Sequence, residues 1–189
     1  MLHPEFPLRT DRLVIRPYTP DDVEVVHALQ SRPDVTRFLL FAPRSREQVV
    51  EQVERKVRQG WRLEAEGDVL ELAVTLPDGT YLGEVLLFWR SAEHRGGELG
   101  YMFDPTHHGR GYATEAAAAL LPLAFDGLGL HRVFARLDAR NGPSARLLER
   151  LGMRREAHFV SNEFIKGEWT DELIYGLLAD EWRGIRHNP

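Results

Sequence analysis

The predicted secondary structure changes near residue 104, from consecutive strands to alternating helices and strands. This change limits the folds that the chain can adopt. Upstream, residues 69–76 and 81–89 are rich in β-forming residues and flank Pro-Asp-Gly-Thr at 77–80, which is typical of a hairpin turn. A third strand of this meander is predicted over Glu98–Asp104. Downstream, helical and strand patterns alternate. The two halves together predict one α/β (α+β) domain with a mixed sheet, not a doubly wound parallel one.

Capping signals and side-chain spacing predict the remaining elements. Residues 12–17 predict a strand, and Thr-Pro-Asp-Asp at 19–22 predicts a helix start. A second helix is expected from Ser45, with Gln48 completing a capping box, to a stop at Gly60. Pro122 predicts a kink or an early end in a helix over 114–127. The last predicted elements are a helix over 143–151 and strands over 131–138, 155–164 and 171–178.

The composition excludes several classes of protein. The 189 residues contain no Cys, which rules out a disulfide framework, a thiolate nucleophile and Cys-based metal centres. Lys plus Arg total 24 against 29 Asp plus Glu, so a formal net charge of −5 argues against a nucleic-acid footprint over the whole surface. No apolar run approaches the roughly 20 residues that span a bilayer, and Pro4, Glu5 and Pro7 argue against a signal peptide. We therefore expect a cytoplasmic protein that binds neither nucleic acid nor membrane.

The most informative segment is His-His-Gly-Arg-Gly-Tyr-Ala-Thr-Glu at 107–115, between a predicted strand and an Ala-rich helix. Glycines at such a junction let successive backbone N–H groups converge on an anion, and the helix N-terminus adds partial positive charge. A pyrophosphate fits this chemistry, with Arg110 as a charge-assisted donor. The segment is equally compatible with a turn that only reverses the chain.

Competing motifs are absent from the sequence. A Walker loop requires Gly-Lys-Ser/Thr, but no Lys lies between Lys56 and Lys166. The dinucleotide fingerprint requires a third Gly where Thr114 stands, and its acidic ribose ligand would fall at about Gly129 and Leu130. The eight His show no His-Glu-x-x-His spacing, and no Gly-x-Ser-x-Gly elbow occurs. We therefore expect neither a metal site nor a serine hydrolase.

A second constellation follows the strand predicted over 131–138. Asn141 is well placed as the N-cap of the next helix, and Ser144 lies in its first turn. By itself this pattern predicts only a capped helix with a solvated serine.

Taken together, the loop at 108–113 and the Asn-x-x-Ser helix at 141–144 resemble the GCN5-related N-acetyltransferase (GNAT) superfamily, most closely its RimJ/RimL branch. The resemblance covers about residues 9–183 and implies a single N-acetyltransferase domain there. It also implies a mostly antiparallel sheet of about six to seven strands, about four flanking helices and a splayed central strand pair. Supporting pieces are the Arg-Thr-Asp-Arg-Leu-Val-Ile-Arg-Pro run at 9–17, Gly-Tyr at 100–101 and Trp-x-Asp at 169–171.

The resemblance implies an enzyme that moves an acetyl group from acetyl-CoA directly to a primary amine, without an acyl-enzyme and without a metal. The CoA pyrophosphate would bind the glycine loop, and the pantetheine arm would lie in a wedge between the strands at 98–104 and 131–138. The residues implied to bind the co-substrate are Met102, Phe103, His108, Gly109, Arg110, Gly111, Tyr112, Ala113, Thr114, Asn141 and Ser144.

The catalytic assignments involve two departures from the family pattern. Many relatives carry Tyr seven residues after the Asn as the acid that protonates the CoA thiolate, but this chain has Leu148 there. Ser144 is the expected substitute, with Tyr101 or water as alternatives. The loop motif begins with His108 where Gln or Arg is usual. For the general base we expect Glu98, which strand alternation places opposite Tyr101, with Glu84 as the alternative.

The acceptor amine is not specified by the sequence. A protein N-terminus, a polyamine, an aminoglycoside or another small amine all fit the resemblance, and so do a monomer and a homodimer. Trp89 is expected in the core or, with Phe38–Phe41, along the acceptor groove. Two alternatives stay open: transfer of a longer acyl group such as succinyl, and a non-catalytic acyl-CoA sensor. Leu148 favours the sensor, whereas Ser144 and Glu98 count against it.

Overall fold

The structure is a computed structural model that describes residues 1–187. Its strands are β1 (Leu8–Arg9), β2 (Val14–Arg16), β3 (Val69–Thr75), β4 (Tyr81–Ser91), β5 (Gly96–Phe103), β6 (Arg132–Asp138), β7 (Arg154–Ile165) and β8 (Glu168–Leu178). Its helices are α1 (Val23–Gln30), α2 (Pro33–Thr36), α3 (Arg46–Gln59), α4 (Tyr112–Pro122), α5 (Gly142–Arg150) and α6 (Ala179–His187). The predicted mixed α/β class is confirmed, with eight strands and six helices in the described residues rather than about six to seven and four.

The strands form one sheet in the order β1-β2-β3-β4-β5-β6-β8-β7. All neighbouring pairs are antiparallel except β5 and β6, whose parallel ladder joins only Gly96–Glu98 to Arg132–Phe134. Beyond Glu98, β5 stays paired with β4 as far as Phe103, whereas β6 stays paired with β8 as far as Asp138. The predicted splay of the central pair is therefore confirmed, and it leaves a wedge between the two strands.

The alternation predicted for β5 is also confirmed. Leu99 and Phe103 pack in the main hydrophobic core, and the partly buried Tyr101 packs against it. Glu98 and Met102 point to the opposite face, where Met102 is the cross-strand partner of Glu84. The sheet therefore has one apolar face and one face that carries carboxylates.

Helices cover the two faces unequally. The main core includes buried residues of α4, α5 and α6, and Phe125 and Trp182 stack in it with ring centroids 5.1 Å apart. A smaller cluster on α1, α3 and β3 covers part of the other face. Each fully buried valine there stabilises the fold by roughly 1.5–3 kcal/mol. The buried members of the smaller cluster are Tyr18, Val26, Val49, Val53 and Ala73.

Most element boundaries follow the local signals, and the differences have physical causes. The Ser45 capping box forms, since the Ser45 N–H donates to Gln48 Oε1 at 2.9 Å. As predicted, α4 ends at Pro122, and a single π-helical turn follows at 123–127. The sequence reading missed α6, which lacks a side-chain N-cap and docks through tertiary packing of Trp182. Within residues 1–187, no helix has both the length and the apolar character needed to cross a bilayer.

Candidate active site

A cavity of about 380 Å³ opens on the carboxylate-bearing face where β5 and β6 separate. Strands β4, β5 and β6, helix α3, the first turn of α5, the segment Phe38–Phe41 and the β7–β8 hairpin contribute its walls. It brings together six of the residues singled out from the sequence, which are Glu84, Glu98, Tyr101, Met102, Asn141 and Ser144.

Two hydroxyl groups meet at the wedge. Asn141 caps α5, since its Oδ1 accepts the Ser144 N–H at 3.2 Å, and this cap fixes the first turn of the helix. The Tyr101 hydroxyl oxygen lies 2.6 Å from Ser144 Oγ and 3.3 Å from the Ser144 carbonyl oxygen. Burial raises the pKa of Tyr101 to about 12 against the opposing Ser144 hydrogen bond. Tyr101 therefore stays protonated at neutral pH and can donate a hydrogen bond.

The glycine loop has the geometry of an anion cradle. Gly109 and Gly111 adopt left-handed backbone angles, with φ of 77° and 80°, and Gly111 is the N-cap of the 11-residue α4. The N–H groups of Gly109, Arg110 and Gly111 have no hydrogen-bond acceptor among the described residues. Unsatisfied N–H groups at a helix N-terminus favour a negative ligand. This loop is not part of the cavity wall and forms a second region of the site beyond Phe103.

An ion pair that the sequence reading missed holds the loop in place. Arg12 donates to Glu115 Oε2 from Nε at 2.7 Å and to the Arg110 carbonyl oxygen from Nη1 at 2.9 Å. Thr10 Oγ1 donates to Glu115 Oε1 at 2.6 Å. Burial opposes the effect, but the bonds from Thr10 and Arg12 lower the pKa of Glu115 and keep it ionised. The motif at residues 9–17 is part of the family resemblance in the sequence. Only the fold shows that this motif contacts residue 115.

The two predicted base candidates are both held by cations. Glu98 lines the cavity, but Arg90 Nε donates to one of its oxygens at 2.7 Å and Arg136 Nε to the other at 3.1 Å. A proton taken up by Glu98 would therefore compete with an arginine contact.

Glu84 is buried more deeply than Glu98 among polar partners. It accepts hydrogen bonds from the buried Lys56 ammonium and, at 2.8 Å, from the Tyr18 hydroxyl. Burial would raise the pKa of Glu84, but the charge and hydrogen bond of Lys56, together with the hydrogen bond from Tyr18, lower it. A lowered pKa makes this carboxylate a weak proton acceptor.

Glu172 is a further cavity carboxylate that the sequence reading did not single out. It lies opposite Asp138 at the splayed end of β6, and Asn162 Nδ2 donates to its Oε2 at 2.8 Å. Burial, followed by the charge of Glu163, raises the pKa of Glu172. The sequence does carry a pattern that indicates its position. Apolar residues alternate at 173, 175 and 177, which places residue 172 on the opposite face of the strand.

The predicted aromatic wall is only half present. Phe38–Phe41 lines the cavity, as does Phe88. Trp89 instead packs against the main core, so its placement along the acceptor groove is wrong and its core placement is confirmed. Strand alternation is the reason, because Phe88 takes the cavity face of β4 and leaves Trp89 on the other.

The β7–β8 hairpin closes one side of the cavity. Lys166 at its tip donates from Nζ to the Thr36 carbonyl oxygen and, at 3.4 Å, to that of Arg37. The neighbouring Ile165 lines the cavity together with Phe38–Phe41. One lysine thus joins the hairpin to the segment that forms the opposite wall.

Comparison with known proteins agrees with this geometry. The Acetyltransferase (GNAT) domain family matches residues 12–154. The uncharacterized N-acetyltransferase YnaD of Bacillus subtilis (strain 168) is 31% identical over 176 residues, which cover 93% of this chain and 98% of that protein. A GNAT-family acetyltransferase from Bacillus anthracis has a solved structure with a TM-score of 0.81 and 30% identity, covering 92% of this chain and 98% of that one.

A more distant likeness concerns the fold alone. RimL, a ribosomal-protein α-N-acetyltransferase solved in complex with coenzyme A, has a TM-score of 0.80 at 18% identity. The match covers 94% of this chain and 99% of the RimL chain.

Proposed function

Because this chain belongs to the GNAT family of acetyltransferase enzymes, we propose that it transfers the acetyl group of acetyl-CoA to a primary amine by direct attack in a ternary complex. The observation that carries the proposal is the Tyr101–Ser144 hydroxyl pair in the wedge, with carboxylates on the wall of the same cavity. Hydrogen-bond donors and proton acceptors thereby flank one space, as acyl transfer to an amine requires.

The residues present fit acetyl-CoA in two regions. The free N–H groups of the loop at 109–111 and the N-terminus of α4 suit its pyrophosphate, with Arg110 as a charged donor. The edge of β5 beyond Glu98 has no partner strand and suits the amides of the pantetheine arm near Met102 and Phe103. The Asn141 side-chain oxygen accepts the hydrogen bond of the helix cap. Its amide N–H₂ is therefore available to donate to a carbonyl of that arm.

The proposed step balances as follows. The acceptor ammonium first loses a proton to a carboxylate of the cavity. Its nitrogen then attacks the thioester carbon and forms a C–N bond. The tetrahedral intermediate collapses, the C–S bond breaks and the CoA thiolate leaves, while the nitrogen releases its second proton, which balances the proton gained by the sulfur. Ser144, supported by Tyr101, donates a hydrogen bond or a proton to that sulfur. Because these hydroxyls interact with charge that develops only as the bond breaks, they lower the barrier of the chemical step.

Two carboxylates are candidates for the general base. Glu98 is the residue that the sequence favours, and it lines the cavity close to the start of the wedge. Glu172 is added by the structure, and its raised pKa suits a proton acceptor. Arg136 lies between them, contacting Glu98 at 3.1 Å and Glu172 at 3.4 Å.

The experiment is to measure CoA release with a thiol reagent while acetyl-CoA is mixed with a panel of amines. The chain contains no Cys, so the enzyme itself adds no thiol signal. We expect release that depends on an amine. Thermal stabilisation by acetyl-CoA without release for any amine would support the sensor alternative, and faster release from succinyl-CoA would support a longer acyl donor.

A further inference from the structure

Among the arginines that line the cavity, Arg44 has an unusual charge environment. Arg55 pairs with Glu71, and Arg136 contacts Glu98, Glu163 and Glu172. Within the described side chains, no carboxylate oxygen lies within 4.0 Å of the partly buried Arg44 guanidinium. A partly buried cation without a direct ion pair is costly, and the more distant charges of Glu84 and Glu71 offset this cost only in part.

The surroundings of Arg44 hold its guanidinium in one place. Gln30 is fully buried, and its Oε1 accepts from Arg44 Nη1 at 3.0 Å. Because a guanidinium only donates, the amide oxygen must face it, and Gln30 Nε2 is left buried without a partner. The Phe41 ring covers the guanidinium with its centroid 3.9 Å from Cζ. The buried Gln30 amide thus holds the Arg44 guanidinium in position on the cavity wall.

The two ends of the cavity differ in charge. Near α3, the cations Lys56, Arg55 and Arg44 accompany two carboxylates, Glu71 and Glu84, so one positive charge is left over. Burial lowers the pKa of Arg44 against the opposing charge of Glu84. Arg44 still stays charged at neutral pH, because the ordinary pKa of an arginine lies far above 7.

The β6–β8 end shows the opposite balance. Glu98, Glu163 and Glu172 accompany two cations, Arg90 and Arg136, so these five residues leave one negative charge over. Asp138 and Asp171 also line this end and contact Arg140 and His158, respectively. Glu163 and Glu172 both depend on the Arg136 Nη1 group, at 3.5 and 3.4 Å. A ligand with a positive group at this end would relieve their mutual repulsion.

From this arrangement we infer that the acceptor is a zwitterionic amine, whose carboxylate pairs with Arg44 while its amino group faces Glu98, Glu163 and Glu172. The inference rests on the proposed function for the role of the amine. The planar guanidinium edge can bind a carboxylate through two parallel N–H bonds, which a point charge cannot reproduce. The apolar wall at Phe41, Leu86 and Phe88 accommodates the carbon chain between the two charges.

The test compares amines in matched pairs that differ only in the carboxylate. Each ω-amino acid of three to six carbons is paired with the alkylamine that lacks its carboxylate, and L-phenylalanine is paired with 2-phenylethylamine. CoA release by the full chain is measured with saturating acetyl-CoA. We expect kcat/KM to be about 10-fold to 100-fold higher for the carboxylate member of at least one pair, as a charge-assisted bidentate contact provides. The chain length with the largest ratio then measures the spacing of the two charged ends.

Variants tie the preference to Arg44. Arg44→Gln and Arg44→Leu should reduce the ratio within that pair to about one, whereas Arg44→Lys should retain part of it. Arg58→Gln, at an exposed position on α3 whose contact with Glu54 is 3.7 Å, is the matched control and should leave the ratio unchanged.

Three outcomes would overturn the inference. In the unaltered protein, alkylamines could be acetylated as well as or better than their carboxylate partners. The preference could persist in Arg44→Leu. O-phosphoethanolamine could be acetylated while every carboxylate is refused, which would place a phosphate at Arg44. The absence of CoA release with every amine is a different result and counts against the proposed function itself. If the Arg44 variants do not fold, the pairwise comparison in the unaltered protein still decides the first and third outcomes.

Discussion

The Tyr101 hydroxyl oxygen lies 2.6 Å from Ser144 Oγ, although the two residues are 43 positions apart and belong to a strand and a helix. The contact exists because β5 turns Tyr101 towards α5 just beyond the point where β6 leaves the ladder. Leu148, where many relatives carry Tyr, is fully buried and has no polar group to offer. In the proposed reaction, these two hydroxyls from different elements would stabilise the leaving sulfur.

The hydroxyl pair is expected to act in the chemical step. Ser144→Ala should lower kcat by about 10-fold to 100-fold with little change in acetyl-CoA affinity, because one transition-state hydrogen bond is lost. Tyr101→Phe should have a similar effect, and the double variant should lose less than the product of the two if they act as one unit. Steady-state kinetics and melting temperatures on the same preparations check this. Full activity in Ser144→Ala with a lowered melting temperature would show that the Ser144 hydroxyl only stabilises the fold through its contact with Tyr101, since the Asn141 cap uses the backbone N–H.

The glycine cradle leads to a prediction about binding. Gly111→Val should abolish CoA binding, because a β-branched residue cannot keep φ at 80° and its Cβ would lie 3.3 Å from Arg12 Nη2. Gly67→Val is the matched control, since Gly67 has φ of 95° and open space around it. Both variants should lose roughly 1–3 kcal/mol of stability. Calorimetric titration with CoA separates them, and unchanged affinity in a folded Gly111→Val would remove the basis of the cradle.

Features that depend on neighbouring residues in the chain were predictable from the sequence. The Ser45 and Asn141 caps, the end of α4 at Pro122 and the alternation that separates Glu98 from Tyr101 all follow from local chemistry. The wedge between β5 and β6 was predicted from the family resemblance. Periodicity could not predict it, because the parallel pair is short and splayed. The helix α6 was missed because it begins directly after β8, where the preceding Leu178 is not a capping residue type; its N–H is instead accepted by Glu181 Oε2 at 2.8 Å.

Contacts between distant segments were not predictable. Arg12 and Glu115 are 103 positions apart, and nothing local distinguishes them from other surface charges. Arg44 and Gln30 meet only because the α1–α3 connection folds back over the sheet. Trp89 shows a related difficulty. A large aromatic side chain on a strand can face a cavity or the core, and only the orientation of that strand decides which.

The general base is expected to determine the low-pH limb of the rate profile. A base acts when deprotonated, so kcat should rise with pH through its pKa. Because burial and Glu163 raise the pKa of Glu172, a limb controlled by this residue lies above the range of an ordinary glutamate. We expect Glu172→Gln to flatten this limb and to lower kcat most above the pKa of Glu172, where the base of the unaltered protein is deprotonated, and Glu98→Gln to have the smaller effect. A larger loss in Glu98→Gln assigns the base to Glu98, and unaltered profiles in both variants indicate an amine that arrives neutral.

The tip of the β7–β8 hairpin is expected to control acceptor binding. Lys166→Met removes the Nζ donor that joins the hairpin to the Thr36 and Arg37 carbonyl oxygens. The cavity wall formed by Ile165 and Phe38–Phe41 should then loosen, so KM for the amine should rise by about 3-fold to 10-fold, as loss of one hydrogen bond to a charged group would cause. The KM for acetyl-CoA should change less, because its pyrophosphate is proposed to bind the glycine loop, which is not part of this cavity. Equal changes in both KM values would contradict a local role.

The buried pair of Lys56 and Glu84 is expected to govern stability rather than catalysis. Lys56→Met leaves the Glu84 carboxylate buried with the Tyr18 hydroxyl as its remaining close partner, and breaking such a pair costs about 3–5 kcal/mol. The double variant Lys56→Met/Glu84→Gln should be more stable than Lys56→Met alone, because no uncompensated charge remains. Glu24→Gln, at the exposed pair with Arg46, is the control and should leave the free energy of unfolding nearly unchanged.

The contribution of Glu84 to the free energy of unfolding should depend on pH, in a direction set by the shift of its pKa. The pKa of Glu84 is lowered in the folded protein, so the unfolded chain binds its proton first as the pH falls. The stabilisation by Glu84 is therefore complete above the unfolded pKa, which is about 4.3, and is lost as the pH falls through the folded value. Urea unfolding of the unaltered protein and of Glu84→Gln should give free energies that differ most at pH 7 and converge in acid. A difference that stays constant or grows on acidification would show that the folded pKa of Glu84 is not lowered, and that Lys56 does not hold this carboxylate in its charged form.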